Sequence, residues 1–258
     1  MRKTLSVVLA VYNEENNLAA CLDSIKDIAD EIVVVDGSSK DKTVGIAKKF
    51  GARVKITTNK PIFHINKQIA IDMATKDWVL QLDADERVTE KLREEIVSKI
   101  NQEDNTNGYW IPRKNWFLGR FLMKGGQYPD YTLRLYRKGK GKLPQKDVHE
   151  QAEVHGEVGY LDEALLHYPY RDFSEYILKW SRYTDLISSQ TKDKLKNKNR
   201  FQEILYGLGF VFLKPPHWFL ITYFRYKGFM DLWPGFVFSL FSSLRFPVSY
   251  IKYLRRKI

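Results

Sequence analysis

The chain has 258 residues, 44% of them hydrophobic and 28% charged, which is ordinary for a globular protein with a sizeable core. Its net charge of +11 is not ordinary and calls for an anionic partner: phosphate groups, a membrane surface or nucleic acid. The one cysteine, Cys21, excludes an intrachain disulfide and fits a reducing compartment.

Arg2 and Lys3 followed by an apolar run imitate a signal peptide, but Asn13-Glu14-Glu15 follow at once with no small-residue cleavage site. Residues 5–11 are therefore expected as a buried first strand, and the protein is expected on the cytoplasmic side of the membrane. Leu18, Cys21, Leu22 and Ile25 recur at helical spacing within 16–28, which makes Cys21 a core residue. Ile32 to Val35 is a second strand, closed by Asp36-Gly37-Ser38-Ser39. Asp41 or Ser39 can cap a helix that Gly51 stops. A third strand over 53–57 and a helix over 65–74 lead to the stretch that orders the rest.

That stretch is Trp78-Val79-Leu80-Gln81-Leu82-Asp83-Ala84-Asp85-Glu86. It begins as an apolar strand and ends in a cluster of carboxylates. Side chains alternate along a strand, so Asp83 and Asp85 would share one side and repel each other. A hard divalent cation such as Mg²⁺ or Mn²⁺ removes that repulsion. The carboxyl end of a strand is also where open α/β sheets place ligands. The competing reading is an acidic loop opening the next helix, 90–100, with Thr89 as its N-cap. Strands alternating with helices give a doubly wound, mostly parallel sheet.

After Asn101 the pattern changes. Strands are expected at 109–111 and 132–136, with a Gly- and aromatic-rich segment between them, and a strand pair at 156–166. A helix is expected at 173–187. The basic run from Lys192 to Arg200 reads first as a solvated face. The tail from Phe201 is apolar and aromatic, with eight Lys or Arg against one acid after Ile204. Lys214-Pro215-Pro216, Arg225, Lys227, Asp231, Arg245 and Pro247 interrupt it, so no uncharged apolar run reaches the ~18 residues of a spanning helix. Helices lying in the headgroups of an anionic leaflet, or packed back on the α/β domain, are the two readings; the first is favoured.

Three motifs in this order, Ser6 to Glu15, Ile32 to Asp41 and Trp78 to Glu86, resemble the nucleotide-sugar domain of the inverting family 2 glycosyltransferases, which have the GT-A fold. Gly125 to Asp130, Leu133 to Tyr136, Val148-His149-Glu150 and His167-Tyr168-Pro169 resemble the bacterial branch that builds lipopolysaccharide core and other envelope glycans. The resemblance implies a Rossmann-like catalytic domain over 1–170 and a C-terminal helical, membrane-associating region over 171–258.

It also implies roles. Ala10, Tyr12 and Glu14 would line the base pocket, with Tyr12 packing on the ring and Asp36 accepting from the base, which makes uridine the expected base. Lys67 would approach the ribose or diphosphate, although the family's following Asn-x-Gly is replaced here by Ile69-Ala70-Ile71. Asp83 and Ala84 would meet the donor, with Asp83 also near the metal, and Asp85 would ligate a Mn²⁺ or Mg²⁺ ion that neutralises the diphosphate. An acceptor hydroxyl would attack directly, with a carboxylate taking its proton. Glu150 is the favoured base, with Asp147 and Asp130 as rivals. His149 would bind metal, orient the diphosphate or be structural. Trp116, Tyr128 and Arg134 would shape the sugar and acceptor pockets or pack in the core; His64, His155 and His217 have no argued role.

The function implied is a hexosyl transfer from a UDP-sugar to a lipopolysaccharide-core, lipid-linked or other envelope glycan at the cytoplasmic membrane face. A nucleotidyltransferase would need a Gly-rich basic loop after the first strand, where Tyr12-Asn13-Glu14-Glu15 stands instead. A non-catalytic membrane-bound binder of nucleotide-sugars remains the other alternative. Nucleic-acid binding is not expected, since the basic residues sit beside Phe and Trp in the tail and not in a reading motif.

Overall fold

The computed structural model describes residues 2–60, 64–144 and 151–257, so Asp147, His149 and Glu150 lie outside the described residues. The chain divides into two compact units, Met1–Lys114 with Asp130–His167, and Asn115–Pro129 with Tyr168–Ile258.

In the first unit β1 (Leu5–Val11), α1 (Leu18–Asp23), β2 (Glu31–Asp36), α2 (Thr43–Lys49), β3 (Arg53–Ile56), α3 (His64–Met73) and β4 (Trp78–Leu82) alternate. Then come β5 (Glu86–Arg87), α4 (Glu90–Ile100) and β6 (Thr106–Phe117), whose last residues belong to the second unit with β7 (Arg120–Leu122). The first unit is completed by β8 (Asp130–Arg137), β9 (Gly141–Lys142), β10 (Glu153–Val154), β11 (Glu157–Tyr160) and β12 (Leu165–His167). The sheet order is β3-β2-β1-β4-β8-β6-β12-β5. Strands β1 to β4 are parallel; β8 turns antiparallel against β4 and β6 antiparallel against β8.

β1 shows why the register is fixed. Leu5, Val7, Leu9 and Val11 enter one core cluster and Val8 the other. Each buried aliphatic side chain contributes about 1.5–3 kcal/mol, and a one-residue slip would exchange the two faces. In that register Val11 pairs Asp36 and Leu9 pairs Leu82, so the ends of β1, β2 and β4 fall on one edge. The loops that carry Tyr12, Asp36 and Asp83 leave from that edge.

The helix after the acidic stretch starts as expected: Thr89 Oγ1 accepts from the Leu92 amide at 3.2 Å, and Leu92, Ile96 and Ile100 are buried. The acidic-loop reading and the ligand-site reading are therefore compatible. The segment expected as a strand pair at 156–166 differs. β11 pairs β6, and β12 pairs β5, because β5 follows the acidic turn directly and offers an edge.

In the second unit the last residues of β6 and β7 form a hairpin around Leu118 and Gly119, both with positive φ, the geometry of a two-residue primed turn. It is followed by α5 (Phe173–Leu195), α6 (Arg200–Leu208), α7 (Lys214–Leu220) and α8 (Leu232–Lys257). α5 starts at Asp172, whose side chain accepts from the Glu175 amide, and α6 at a capping box of Asn199 and Gln202. Trp180 on α5 donates its ring N–H to the Phe241 carbonyl of α8 at 2.9 Å.

The tail corrects one expectation. Lys214-Pro215-Pro216 does not end the helical path, because the prolines stand in the first turn of α7 after a π-type turn at Gly209–Leu213. Arg200–Arg225 is thus one helical run of 26 residues, long and apolar enough to cross a membrane by length and composition, with 11% of its most apolar window buried.

Candidate active site

Asp83 follows the last residue of β4 and is held by two cations. Its Oδ1 lies 2.5 Å from Lys67 Nζ and its Oδ2 2.6 Å from Arg134 Nη2. Lys67 comes from α3, buried. Arg134 comes from β8, where Leu135 pairs Leu80. That pairing ends at Leu80 and Leu135, so the next residue of β8, Arg134, falls beside the carboxyl end of β4, where Asp83 follows.

Behind this pair sits Glu86, fully buried. It accepts the Asp83 amide at 2.9 Å and pairs with Arg134 at 3.0 Å and Arg113 at 3.3 Å. Arg113 of β6 also pairs with Asp130, its neighbour across to β8, at 2.7 Å. Three cations and three carboxylates thus form one network. Burial would push the Asp83 carboxyl up, but the Arg134 guanidinium and the Lys67 ammonium outweigh it and hold it well below the usual carboxylate range. Burial pulls the Lys67 ammonium down against Asp83. Burial likewise opposes charge on Arg134, yet Asp83 and Glu86 raise its pKa further.

Asp85 stands apart from that network. Among the described residues its side chain makes one polar contact, with His167 Nε2 at 3.4 Å. Both side chains keep some exposure, 24% for Asp85 and 15% for His167. A carboxylate with an imidazole is a donor pair for a divalent ion, and the imidazole suits Mn²⁺ better than Mg²⁺. Among the described residues no cluster of three or more His, Cys, Asp or Glu side chains is placed to hold a metal. Two protein donors would hold such an ion only together with ligands from outside the chain. Both oxygens of Asp83 face cations, whereas the Asp85 carboxylate faces the His167 imidazole.

The loops after β1 and β2 are tied together. Ser39 Oγ donates to Asp36 Oδ2 at 2.5 Å and accepts from the Asn13 amide at 2.8 Å. The Ser39 amide donates to Asp36 Oδ1 at 2.8 Å. Asn13 Oδ1 takes the Lys40 amide, and Thr43 Oγ1 takes the Glu14 amide, both at 2.8 Å. Asp36 is fully buried, so its charge is met by this turn; each oxygen keeps a further lone pair for a donor. Tyr12, at the end of β1, is 41% exposed with its ring available for stacking. Glu14 is half-buried and accepts from Asn17 Nδ2 at 2.9 Å. Ala10 is half-buried in β1, while Ala84 is buried and its carbonyl takes Arg87 Nη1 at 2.7 Å.

A family model described as glycosyl transferase family 2 matches residues 6–160, more than half of the chain. The chain belongs to glycosyl transferase family 2.

It is accordingly an enzyme of the hexosyltransferase kind with a GT-A fold. It is 29% identical over 260 residues to the lipopolysaccharide core biosynthesis glycosyltransferase LpsC of Rhizobium meliloti, covering 93% of this chain and 91% of that one. It is 28% identical over 258 residues to an uncharacterised glycosyltransferase of Rickettsia typhi, covering 95% and 85%. Residues 1–349 of S. aureus TarS are a structural relative at 16% identity and a TM-score of 0.48, covering 96% of this chain and 91% of that one.

In this family 2 chain the strand register gathers Tyr12, Asp36 and Asp83 at one edge, and α3 brings Lys67 to Asp83. Glu150 lies outside the described residues. Sequence reasoning did not find Glu86 and Arg113 as network members, nor the His167–Asp85 pair. Arg113 is two residues beyond the strand read at 109–111, and its alternation from Ile111 was the available signal. Trp116 belongs to the second unit, where it packs against Phe121 and Tyr168.

Proposed function

We propose that this glycosyltransferase moves a sugar, with inversion, from a UDP-sugar to a hydroxyl of a lipopolysaccharide-core, lipid-linked or other envelope glycan at the cytoplasmic membrane face. The observation that carries the reading is the split of the two aspartates: Asp83 held by Lys67 and Arg134, Asp85 beside His167. Asp85 and His167 would hold a divalent ion, Mn²⁺ by preference, which when bound supplies positive charge against the donor diphosphate. Lys67 and Arg134 add fixed positive charge where negative charge grows on the leaving group, and Asp83 keeps both oriented. The turn built on Asp36 and Ser39 fixes the loop beside the base, and Tyr12 offers the stacking face.

The acceptor's proton needs a carboxylate. Asp130 is tied to Arg113 through one oxygen, at 3.0 Å from Nε and 2.7 Å from Nη2, which enlists it in the network. Glu150 is therefore kept as the base, with Asp147 as the rival. The similarity to LpsC supports an envelope-glycan acceptor, and the basic, aromatic tail supports work at an anionic leaflet.

The test is release of UDP from a panel of UDP-sugars, with and without Mn²⁺, by the wild type and by Glu150→Gln. Metal-dependent release from one or a few donors, lost in the variant, is expected. Release that chelation leaves unchanged would remove the metal from the account. Full activity of Glu150→Gln would move the base to Asp147.

A further inference from the structure

We infer that the C-terminal unit carries a second anion site, which takes the phosphate of an anionic lipid head group. The site is a cleft of about 500 Å³ walled by the second half of α5, the turn into α6 and the last turns of α8. Lys192, Lys196 and Lys198 line it, all exposed, and among the described residues none of the three ammonium groups has an ion-pair or hydrogen-bond partner. Arg256 pairs with Asp185 at 2.6 Å, and Glu203 accepts from Tyr253 Oη at 2.7 Å. The three lysine ammonium groups therefore outnumber the two acids of the wall, Asp193 and Glu203, the latter keeping its charge while it accepts from Tyr253. Like charges gathered at one concavity favour an anion there, and phosphate oxygens accept charge-assisted hydrogen bonds from lysine.

Ser188 is the second, independent observation. It lies on the cleft wall with 1% exposure, and its Oγ has no hydrogen-bond partner among the described residues. Buried hydroxyls are rarely left so. Thr184 and Thr191, one turn away on either side of α5, donate back to the carbonyls of Ser181 and Ile187 at 2.7 and 2.8 Å. Ser188 does not use that outlet, which leaves an uncommitted hydroxyl on a residue of the cleft wall.

The neighbouring surface identifies the source of the phosphate. α6 starts where the lysine wall ends, and Phe201, Ile204, Leu205 and Leu208 are each about half or more exposed. The run continues through Phe212 and Leu213, at 66% and 71% exposure. A soluble phosphate needs no such surface; a lipid does, with its head group between the lysines and its chains along the apolar face. This inference deepens the membrane-face part of the proposed function and rests on it only for the source of the phosphate.

The test is flotation of the full-length protein with vesicles of phosphatidylcholine alone or containing phosphatidic acid. UDP titration of each variant separately reads the donor site. The wild type is expected to prefer phosphatidic acid. Lys192→Gln/Lys196→Gln/Lys198→Gln should lose about tenfold or more in binding. Lys48→Gln/Lys49→Gln/Lys55→Gln, with the same change in net charge, should lose far less. Ser188→Ala should weaken the preference with no change in charge, and Leu205→Ser/Leu208→Ser should weaken binding to both vesicles. No preference in the wild type, or equal losses in the two lysine triples, would overturn the site. Calorimetric binding of glycerol 3-phosphate combined with vesicle binding indifferent to Leu205→Ser/Leu208→Ser would overturn the lipid source.

Discussion

His167 Nε2 stands 3.4 Å from Asp85 Oδ2 because the short strands that flank them are paired, with Glu86 opposite His167. A residue 82 positions downstream is thus delivered to the acidic turn by two backbone strands of two and three residues. If this pair binds the metal, His167→Ala should weaken Mn²⁺-dependent UDP binding by at least about tenfold. Thermal stability without metal should change little, since both side chains are partly exposed. Mn²⁺ titration followed by calorimetry checks both.

The Asp83 network predicts a stability effect of a different kind. Asp83→Asn leaves Lys67 and Arg134 without their shared carboxylate, and breaking a buried pair on one side costs about 3 kcal/mol or more. Urea denaturation at neutral pH should show that loss. The pH dependence follows from the depressed Asp83 carboxyl. Its contribution is fully present above the unfolded value, about pH 3.9, and is lost as pH falls toward the folded value. The gap between wild type and Asp83→Asn should therefore narrow below about pH 4.

Cys21 is fully buried, and burial pushes its thiol pKa well up. Its sulfur also lies 3.5 Å from the Asp83 carbonyl, against the acidic turn. The folded protein should react with a thiol reagent only when it unfolds, and UDP with Mn²⁺ should slow labelling further by stabilising the native state. Fast labelling of the folded chain would contradict the packing described.

In the second unit, a Cβ at Gly235 would run into the carbonyl of Gly228, a backbone atom that cannot turn aside. Gly235→Ala should destabilise the protein by about 1–3 kcal/mol. Gly209→Ala, where nothing stands in the way, should not. Paired urea melts distinguish the two.

Much of this was legible in the sequence, for physical reasons. β1, β2 and β4 are apolar runs buried on both faces, α4 has its cap and its buried stripe, and the polar loops mark the strand ends. What was not legible depends on pairing between distant segments. Asp83 and Asp85 look equivalent in a period of two, yet the chain leaves the strand at Leu82 and turns, so the two carboxylates meet different partners. Nothing local predicts that Lys67 and Arg134 converge on one and His167 on the other. In the tail, Pro215-Pro216 read as a break, but a π-type turn ahead of them carries the helix through.

The central claim is that Asp85 with His167 holds the metal while Asp83 serves the cation network. Calorimetric titration of UDP into wild type, Asp85→Ala and His167→Ala, each with Mn²⁺ and with EDTA, tests it most directly. The account predicts that wild type binds UDP more tightly with Mn²⁺ than with EDTA, and that both variants bind weakly and equally under the two conditions. Unchanged Mn²⁺-dependent binding in Asp85→Ala and His167→Ala would contradict it.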